Sequence, residues 1–350
     1  MRDCMRCNLK SNYRLVQKIW YKKSILAYIL FPFSLLFFII ISIRRWLYRV
    51  GIFHSMKFSV PVIVVGNITV GGTGKTPLII YLAESLKQKG YTPGIVSRGY
   101  GSKMNKEPRS VVAESSFKEV GDEPLLIFSR TQCSVWICAD RIAAVEKILS
   151  ETNCNVILSD DGLQHYALKR DMEIAVVDSE RQFGNGFMLP AGPLRETKSR
   201  LKEVDFVVMN GKKSNFELDN KIIHMQLKPD KIYNLMDSKK ILDINKTKTA
   251  VHAVAGIGNP QRFFKALRSL GLTIVEHPYP DHYQFQLSDL SFDDNFPVII
   301  TEKDAVKCKS FKNENLWCLR VNTTFEVDFV HALLQKFPQK SISVDLSQCF

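Results

Sequence analysis

Short runs of apolar, often β-branched residues recur along the chain between segments with helical spacing. They predict strands at Val60–Val65, Gly94–Ser97, Val135–Ala139, Val156–Ser159, Ile174–Asp178 and Val204–Met209, with helices at Pro77–Lys89, Glu123–Arg130 and Arg141–Ser150. Strands that are apolar at nearly every position are buried on both faces, and helix-length spacers between them imply crossover connections. The pattern therefore predicts an α/β fold, a mostly parallel sheet flanked by helices. From Gly211 to about Thr249 the composition turns polar, rich in Lys, Asn and Asp, and reads as a connecting hairpin or linker. A second, smaller α/β pattern begins at Ala250–Gly256 and continues through strands at Leu272–Glu276, Pro297–Thr301 and Leu316–Val321 to a helix near Glu326–Lys336. Asn259 is placed to cap a helix with Pro260 at its first position. The Gly256-x-Gly258 pair beside it is too short to denote a dinucleotide site. The chain thus divides into an N-terminal segment (1–57), an α/β core (58–210), a connection (211–249) and a smaller α/β domain (250–350).

The most apolar stretch lies ahead of the first strand. Ser24 to Ile43 is a 20-residue uncharged segment, the length that crosses a hydrocarbon core. Arg2, Arg6, Lys10, Arg14, Lys18, Lys22 and Lys23 precede it, and Arg44, Arg45 and Arg49 follow, with Trp46 and Tyr48 among them. Basic residues stand where a signal peptide would have its cleavage site, so the segment reads as an anchoring helix. Charge on both sides leaves spanning and embedding equally open, and Pro32 suits a bent helix that dips into one leaflet. Lys and Arg total 48 against 35 Asp and Glu, a formal charge of +13. That excess favours an anionic partner, and the flanks of the apolar segment point to an anionic membrane face. No base-reading motif points to nucleic acid, and nothing marks an obligate protein partner. The 8 cysteines are scattered; Cys4 and Cys7 have metal or redox spacing, yet no second pair completes a zinc site.

Between the first strand and the first helix of the core lies Thr69-Val70-Gly71-Gly72-Thr73-Gly74-Lys75-Thr76. A glycine-rich turn in this context aims backbone N–H groups at an anion; Lys75 reaches the outer phosphates, and Thr76 offers a hydroxyl to Mg²⁺. The strict phosphate-loop pattern has Gly where this chain has Thr69. A membrane-associated regulatory ATPase with a deviant loop is a second reading, but its extra Lys would stand at Val70. The strand Val156–Ser159 runs into Asp160 and Asp161, where a metal-organising carboxylate belongs in such folds. Further clusters are Gly121-Asp122-Glu123-Pro124 at a helix start, the rigid loop Pro190–Glu196, and Asp281-His282-Tyr283.

These elements stand in a particular order: GNxTVGGTGKTP at Gly66–Pro77, SRGYG at Ser97–Gly101, GDEP at Gly121–Pro124, DDGLQH at Asp160–His165, PAGPLRE at Pro190–Glu196, PDHxxF at Pro280–Phe285 and TEKDAVK at Thr301–Lys307. The order resembles the tetraacyldisaccharide 4′-kinase family of Gram-negative bacteria over roughly residues 20–310, and the family's version of the loop accommodates Thr69. The resemblance implies a phosphate-loop kinase fold and ATP- and Mg²⁺-dependent phosphorylation of the 4′-hydroxyl of an acylated disaccharide 1-phosphate, giving lipid IVA at the cytoplasmic face of the inner membrane. It makes Asp122 and His282 a catalytic dyad together with Lys75. It gives Thr76, Asp160 and Glu196 to the metal, and Asp161, His165, Arg195, Ser97, Arg98 and Tyr100 to substrate or phosphate.

Overall fold

In the computed structural model the described residues are 16, 18–22, 24–102, 107–212, 222–247 and 249–337. Arg2, Arg6, Lys10, Arg14, Lys23 and the Cys4/Cys7 pair lie outside them, as does the tail after 337. The apolar N-terminal segment forms helix α1 (Ile25–Arg49), and Pro32 sits inside it without ending it. The core then runs β1 (Val62–Gly66), α2 (Lys75–Gln88), β2 (Pro93–Ser97), β3 (Arg109–Val111), α3 (Phe117–Val120), α4 (Asp122–Thr131), β4 (Ser134–Ile137), α5 (Arg141–Glu151), β5 (Val156–Asp160), β6 (Met172–Asp178) and β7 (Phe206–Asn210). It is followed by β8 (Ile222–Asn234), β9 (Val251–Ala255), α6 (Pro260–Ser269), β10 (Ile274–Pro278), β11 (Val298–Thr301), α7 (Glu302–Cys308), β12 (Leu316–Phe325) and α8 (Phe329–Gln335). The expected α/β architecture is present. β3, α3, α7 and β8 carry no run strong enough to have been read from the pattern.

All the strands join one 12-stranded sheet in the order β10-β9-β11-β12-β8-β7-β6-β1-β5-β2-β4-β3. Strand β1 lies between β5 and β6, parallel to both. Its residues alternate between two cores: Ile63 and Val65 pack with Leu78, Leu82 and Ile127, and Val62 and Val64 with Ile148, Leu163 and Met209. Burial on both faces explains why the strand is apolar at every position. The second half repeats this arrangement on a smaller scale, with Phe264 and Leu267 on one face and Phe285 and Leu290 on the other.

The polar segment read as a connection contains the strand that joins the halves. The first residues of β8 pair in parallel with β7, Val207 opposite Ile222 through Asn210 opposite Met225. The strand then continues past the end of β7 and pairs antiparallel with β12 as far as Asn234 opposite Trp317. Met225 to Asn234 spans roughly 30 Å at strand rise. The sheet of the second half is therefore offset along β8, beyond the C-terminal edge of the first. Its strands β9 to β12 run back toward that edge, so the C-terminal ends of the two sets of strands face each other across a cleft.

Helix α1 lies along the first half instead of projecting from it. Ser34, at 3% exposure, donates from Oγ to the Met188 carbonyl at 2.8 Å and accepts from the Ala191 amide at 3.0 Å. Ala27 is buried on the same face, Tyr28 and Phe31 meet Phe187, and Arg45 and Arg49 pair with Glu203. The opposite face leaves Ile25, Ile29, Phe33, Leu36, Ile40 and Ile43 exposed. One polar-anchored face and one apolar exposed face define a helix made for two environments.

Candidate active site

The glycine-rich turn follows β1, and Gly74, at φ 101°, is the N-cap of α2. Gly71 is also left-handed at φ 115°, a region that side chains disfavour. The loop is held from three sides. Asn67 donates to the Gly71 carbonyl at 3.4 Å and to Thr73 Oγ1 at 3.3 Å; Asn210, at the end of β7, donates to the Thr73 carbonyl at 2.9 Å. The Val70 amide donates to the Pro193 carbonyl at 2.8 Å. Thr69 forms an antiparallel bridge with Leu194 and is buried. Extended backbone needs no glycine, which is why a side chain is tolerated there.

Beside the loop, the end of β5 delivers the two adjacent carboxylates, and their environments push them apart. Lys75 Nζ lies 3.5 Å from Asp161 Oδ1, and Arg195 donates to Asp161 Oδ2 at 3.0 Å. Burial raises the Asp161 pKa, but Lys75 and Arg195 outweigh it and bring the group down to about 2. Asp160 is 1% exposed and accepts from Ser97 Oγ at 3.2 Å on one oxygen, while its Oδ1 has no partner. Burial first, and then Glu123, push it up to about 7, against Lys75. Arg141 is buried and donates to the carbonyls of Cys138 and Asp160, at 2.7 and 3.2 Å; burial lowers it to about 10. His165 is lowered to about 4 by burial and Arg141, so it is neutral, and its Nε2 is buried without a partner.

Glu196 is 2% exposed and both its oxygens are engaged, by Gln164 Nε2 at 2.7 Å and Tyr166 Oη at 2.6 Å, with Arg200 Nε at 3.4 Å. Gln164 in turn donates to the Asn67 carbonyl at 3.1 Å. Both Glu196 oxygens are thus engaged, whereas one oxygen of Asp160 is not.

Across the cleft, the loop after β10 carries His282, whose φ of 59° turns its ring toward the first half. His282 Nδ1 lies 3.0 Å from Asp122 Oδ2 and 3.1 Å from Oδ1, 160 residues apart in sequence. Asp122 opens α4 after Gly121, at a helix N-terminus that favours its charge, and is 4% exposed. Burial raises it, but the hydrogen bond from His282 and the charges of Lys303, His282 and Lys307 leave it below the usual carboxylate range. His282 is lowered by burial, and the hydrogen bond to Asp122 more than compensates, so its pKa is raised. Tyr100 lies against the imidazole with ring centroids 5.0 Å apart. Arg98 is exposed at the same opening, and Ser97, Arg98 and Tyr100 line a cleft of about 1650 Å³ with the glycine-rich turn, Asp160, Asp161 and His282.

Further charged residues complete the junction. Lys303 bridges Glu123 at 2.7 Å and Asp281 at 3.1 Å, and Arg130 bridges to Glu302 at 2.7 Å. Asn259 caps its helix without a side-chain bond and turns its amide toward Asp178 at 3.5 Å instead. Lys303 sits in the TEKDAVK block, a signal for attention but not for a role. Arg130, Asn210 and Arg141 carried none, because each works through long-range contacts.

A sequence model of the tetraacyldisaccharide-1-P 4′-kinase family matches residues 26–338. Proteins named tetraacyldisaccharide 4′-kinase are similar over nearly the whole chain. One from Coxiella burnetii is 49% identical over 318 residues, 89% of this chain and 93% of that protein. One from Nitrosococcus oceani is 46% identical over 334 residues, 95% of this chain and 97% of that one. A crystal structure of LpxK from Aquifex aeolicus in complex with ATP superposes with a TM-score of 0.77 at 30% identity, covering 90% of this chain and 100% of that one.

The coupling of Asp122 and His282 sets a titration. The pKa of His282 in the folded protein, followed by NMR, is expected above the ordinary value of about 6.5. In Asp122→Asn, burial and Lys303 act unopposed by that carboxylate, and the value is expected to fall. The stability that the raised His282 supplies is present below about pH 6.5 and lost as pH rises through its raised pKa, while that of the lowered Asp122 is lost as pH falls through the carboxylate range. An unchanged titration in Asp122→Asn would mean the two groups do not interact in solution.

Proposed function

The chain belongs to the tetraacyldisaccharide-1-P 4′-kinase family, and from that premise we propose how its cleft performs the reaction. It is a kinase that transfers the γ-phosphoryl group of ATP to the 4′-hydroxyl of tetraacyldisaccharide 1-phosphate, giving lipid IVA in lipid A biosynthesis. The family match displaces the regulatory ATPase reading. The observation that carries the mechanism is the contact of Asp122 and His282 across the cleft, opposite the glycine-rich turn.

In this reading the turn from Thr69 to Thr76 cradles the phosphates with its amides, and Lys75 and Arg195, now on Asp161, are available to phosphate oxygens. Asp161, fully ionised, keeps both cations in place. Asp122 accepts from His282 Nδ1–H and fixes the tautomer, which leaves Nε2 as the base. Asp122, ionised and held below the usual carboxylate range, orients the imidazole in this reading. As the 4′-oxygen forms its bond to the γ-phosphorus, its proton passes to Nε2, and the bond to the β-phosphate oxygen breaks to release ADP. The imidazolium so formed is stabilised by Asp122. Tyr100, Ser97 and Arg98 border the acceptor side, and His165, being neutral, can contact a sugar hydroxyl.

The residues fit a divalent cation. Asp160 has a buried carboxylate oxygen with no partner, and Thr76 lies in the first turn of α2 at the same cleft. We assign the metal to these two; Mg²⁺ there would neutralise phosphate charge. Glu196, whose oxygens are taken, is assigned to orienting Gln164 and Tyr166.

The acceptor is a lipid, and α1 suggests how it arrives. Phe37, Ile41 and Arg44 of α1 line the same cleft as the catalytic groups. Ser34 of α1 is bonded to the Met188 and Ala191 backbone, which supports a helix that lies along the protein over one centred in mid-bilayer. We therefore propose that α1 embeds lengthwise in one leaflet, with its exposed apolar face in lipid and its arginines at an anionic headgroup layer. Acyl chains then stay in the membrane while the sugar enters the cleft.

Asp122→Ala and His282→Ala are each expected to lower turnover by about 10²- to 10⁴-fold, and the double variant by much less than the product. Small, multiplicative losses would make both residues structural. For α1, cysteines placed at Ser24 and Val50 of vesicle-bound protein are expected to react with an impermeant maleimide from the same side. Protection of one end alone would establish a spanning helix.

A further inference from the structure

Gly258 lies in the Gly256-Ile257-Gly258-Asn259 turn between β9 and α6, in the second half of the protein. Its φ is outside the left-handed region, so its backbone is one that any residue adopts. Conformation does not explain the glycine; space does. A Cβ there would stand 2.9 Å from the Gly72 amide nitrogen and 3.4 Å from Gly72 Cα, in the phosphate loop. The same Cβ would stand 3.2 Å from Asp281 Oδ2, in the residue before His282. Gly258 is thus inserted between the loop that holds the phosphoryl donor and the loop that carries the base. The contact is fastened from outside: Arg181, in the loop after β6, donates from Nη1 to the Gly258 carbonyl at 2.8 Å. The same Nη1 lies 3.9 Å from where a Cβ on Gly71 would be. The guanidinium of Arg181 also lies over the Tyr21 ring, 5.5 Å from its centroid.

We propose that Gly258 is a spacer that fixes the distance between the phosphate loop and the His282 loop, and that Arg181 clamps it in place. Both are positioning residues, and the proposal rests on the reading of Asp122 and His282 as the dyad. The asymmetry of the contact supports it. A Cβ on Gly72 would meet Gly258 Cα at 3.7 Å, an ordinary distance, whereas one on Gly258 collides with backbone that cannot rotate away. Ordinary contact is about 3.5–4.0 Å, so a methyl at 258 must part the two loops by roughly 0.5 Å or more. In-line transfer is sensitive to displacements of this size. Binding of ATP to the first half alone is not, since its loop keeps the bonds from the Asn67 and Asn210 side chains and to the Pro193 carbonyl.

The test compares full-length wild type, Gly258→Ala, Arg181→Ala, Arg181→Lys and His282→Ala in mixed micelles of tetraacyldisaccharide 1-phosphate. Turnover, ATP affinity by calorimetry and thermal midpoint are measured for each. For Gly258→Ala, kcat is expected to fall by about tenfold to a hundredfold while ATP affinity and the thermal midpoint hold. Arg181→Ala should lose kcat several-fold by the same pattern, and Arg181→Lys, which can still donate to the carbonyl, should recover most of it. If Gly258→Ala does not fold, the two Arg181 variants carry the test, and wild-type kcat in both would overturn the proposal. Wild-type kcat in Gly258→Ala, or a parallel fall of kcat, ATP affinity and midpoint, would overturn it as well. Undiminished turnover in His282→Ala would instead remove the dyad reading beneath it.

Discussion

The site depends on the course of one strand. β8 begins beside β7 and ends beside the start of β12, so it carries the second half of the sheet past the edge of the first. Because the β8–β12 pairing is antiparallel, the strands of the second half point back at the first. Ligand sites in open α/β sheets form at the carboxyl ends of strands. Here two such edges are turned on each other, one holding the glycine-rich turn and Asp160, the other Gly258 and His282. A donor bound on one edge can thereby meet the base proposed on the other, although neither edge contains both.

Closure of this cleft is held by groups that are expensive to separate. Asp122 with His282, Glu123 with Lys303 and Glu302 with Arg130 all join the halves, and Asp122, Glu302 and Arg130 are largely buried. Removing one partner of such a pair leaves a charge desolvated and unpaired. Charges of opposite sign on the two edges therefore favour the closed arrangement. The excess of positive charge at the phosphate side, Lys75 and Arg195 on a single Asp161, leaves capacity for an anionic ligand.

Much of this was legible in the residues. The buried strands announced themselves because parallel strands are apolar on both faces, and the phosphate turn because its glycines, Lys75 and Thr76 stand between such a strand and a helix. β8 was not legible: Lys228, Asp230 and Lys231 alternate irregularly with apolar residues because the ribbon is partly open to water, so the segment reads as a linker. The partnership of Asp122 with His282 came from a family resemblance; residues 160 positions apart leave no local trace of their contact. The same holds for Arg141 and Asn210, which act through backbone carbonyls far away in sequence. Gly258 was seen and set aside, since a glycine required by a neighbour's proximity looks like any other until that neighbour is placed. The place of Glu196 at the metal came from the same resemblance, and its bonds to Gln164 and Tyr166 left no local trace in the sequence either.

The most direct measurement is transfer of ³²P from γ-labelled ATP to tetraacyldisaccharide 1-phosphate in mixed micelles with Mg²⁺, by wild type and by Lys75→Ala. The account predicts labelled bisphosphorylated lipid from wild type, and a loss of about a hundredfold or more when the cation that meets the transferring phosphate is removed. Equal labelling by both proteins, or none by a folded wild type that binds ATP, would contradict it.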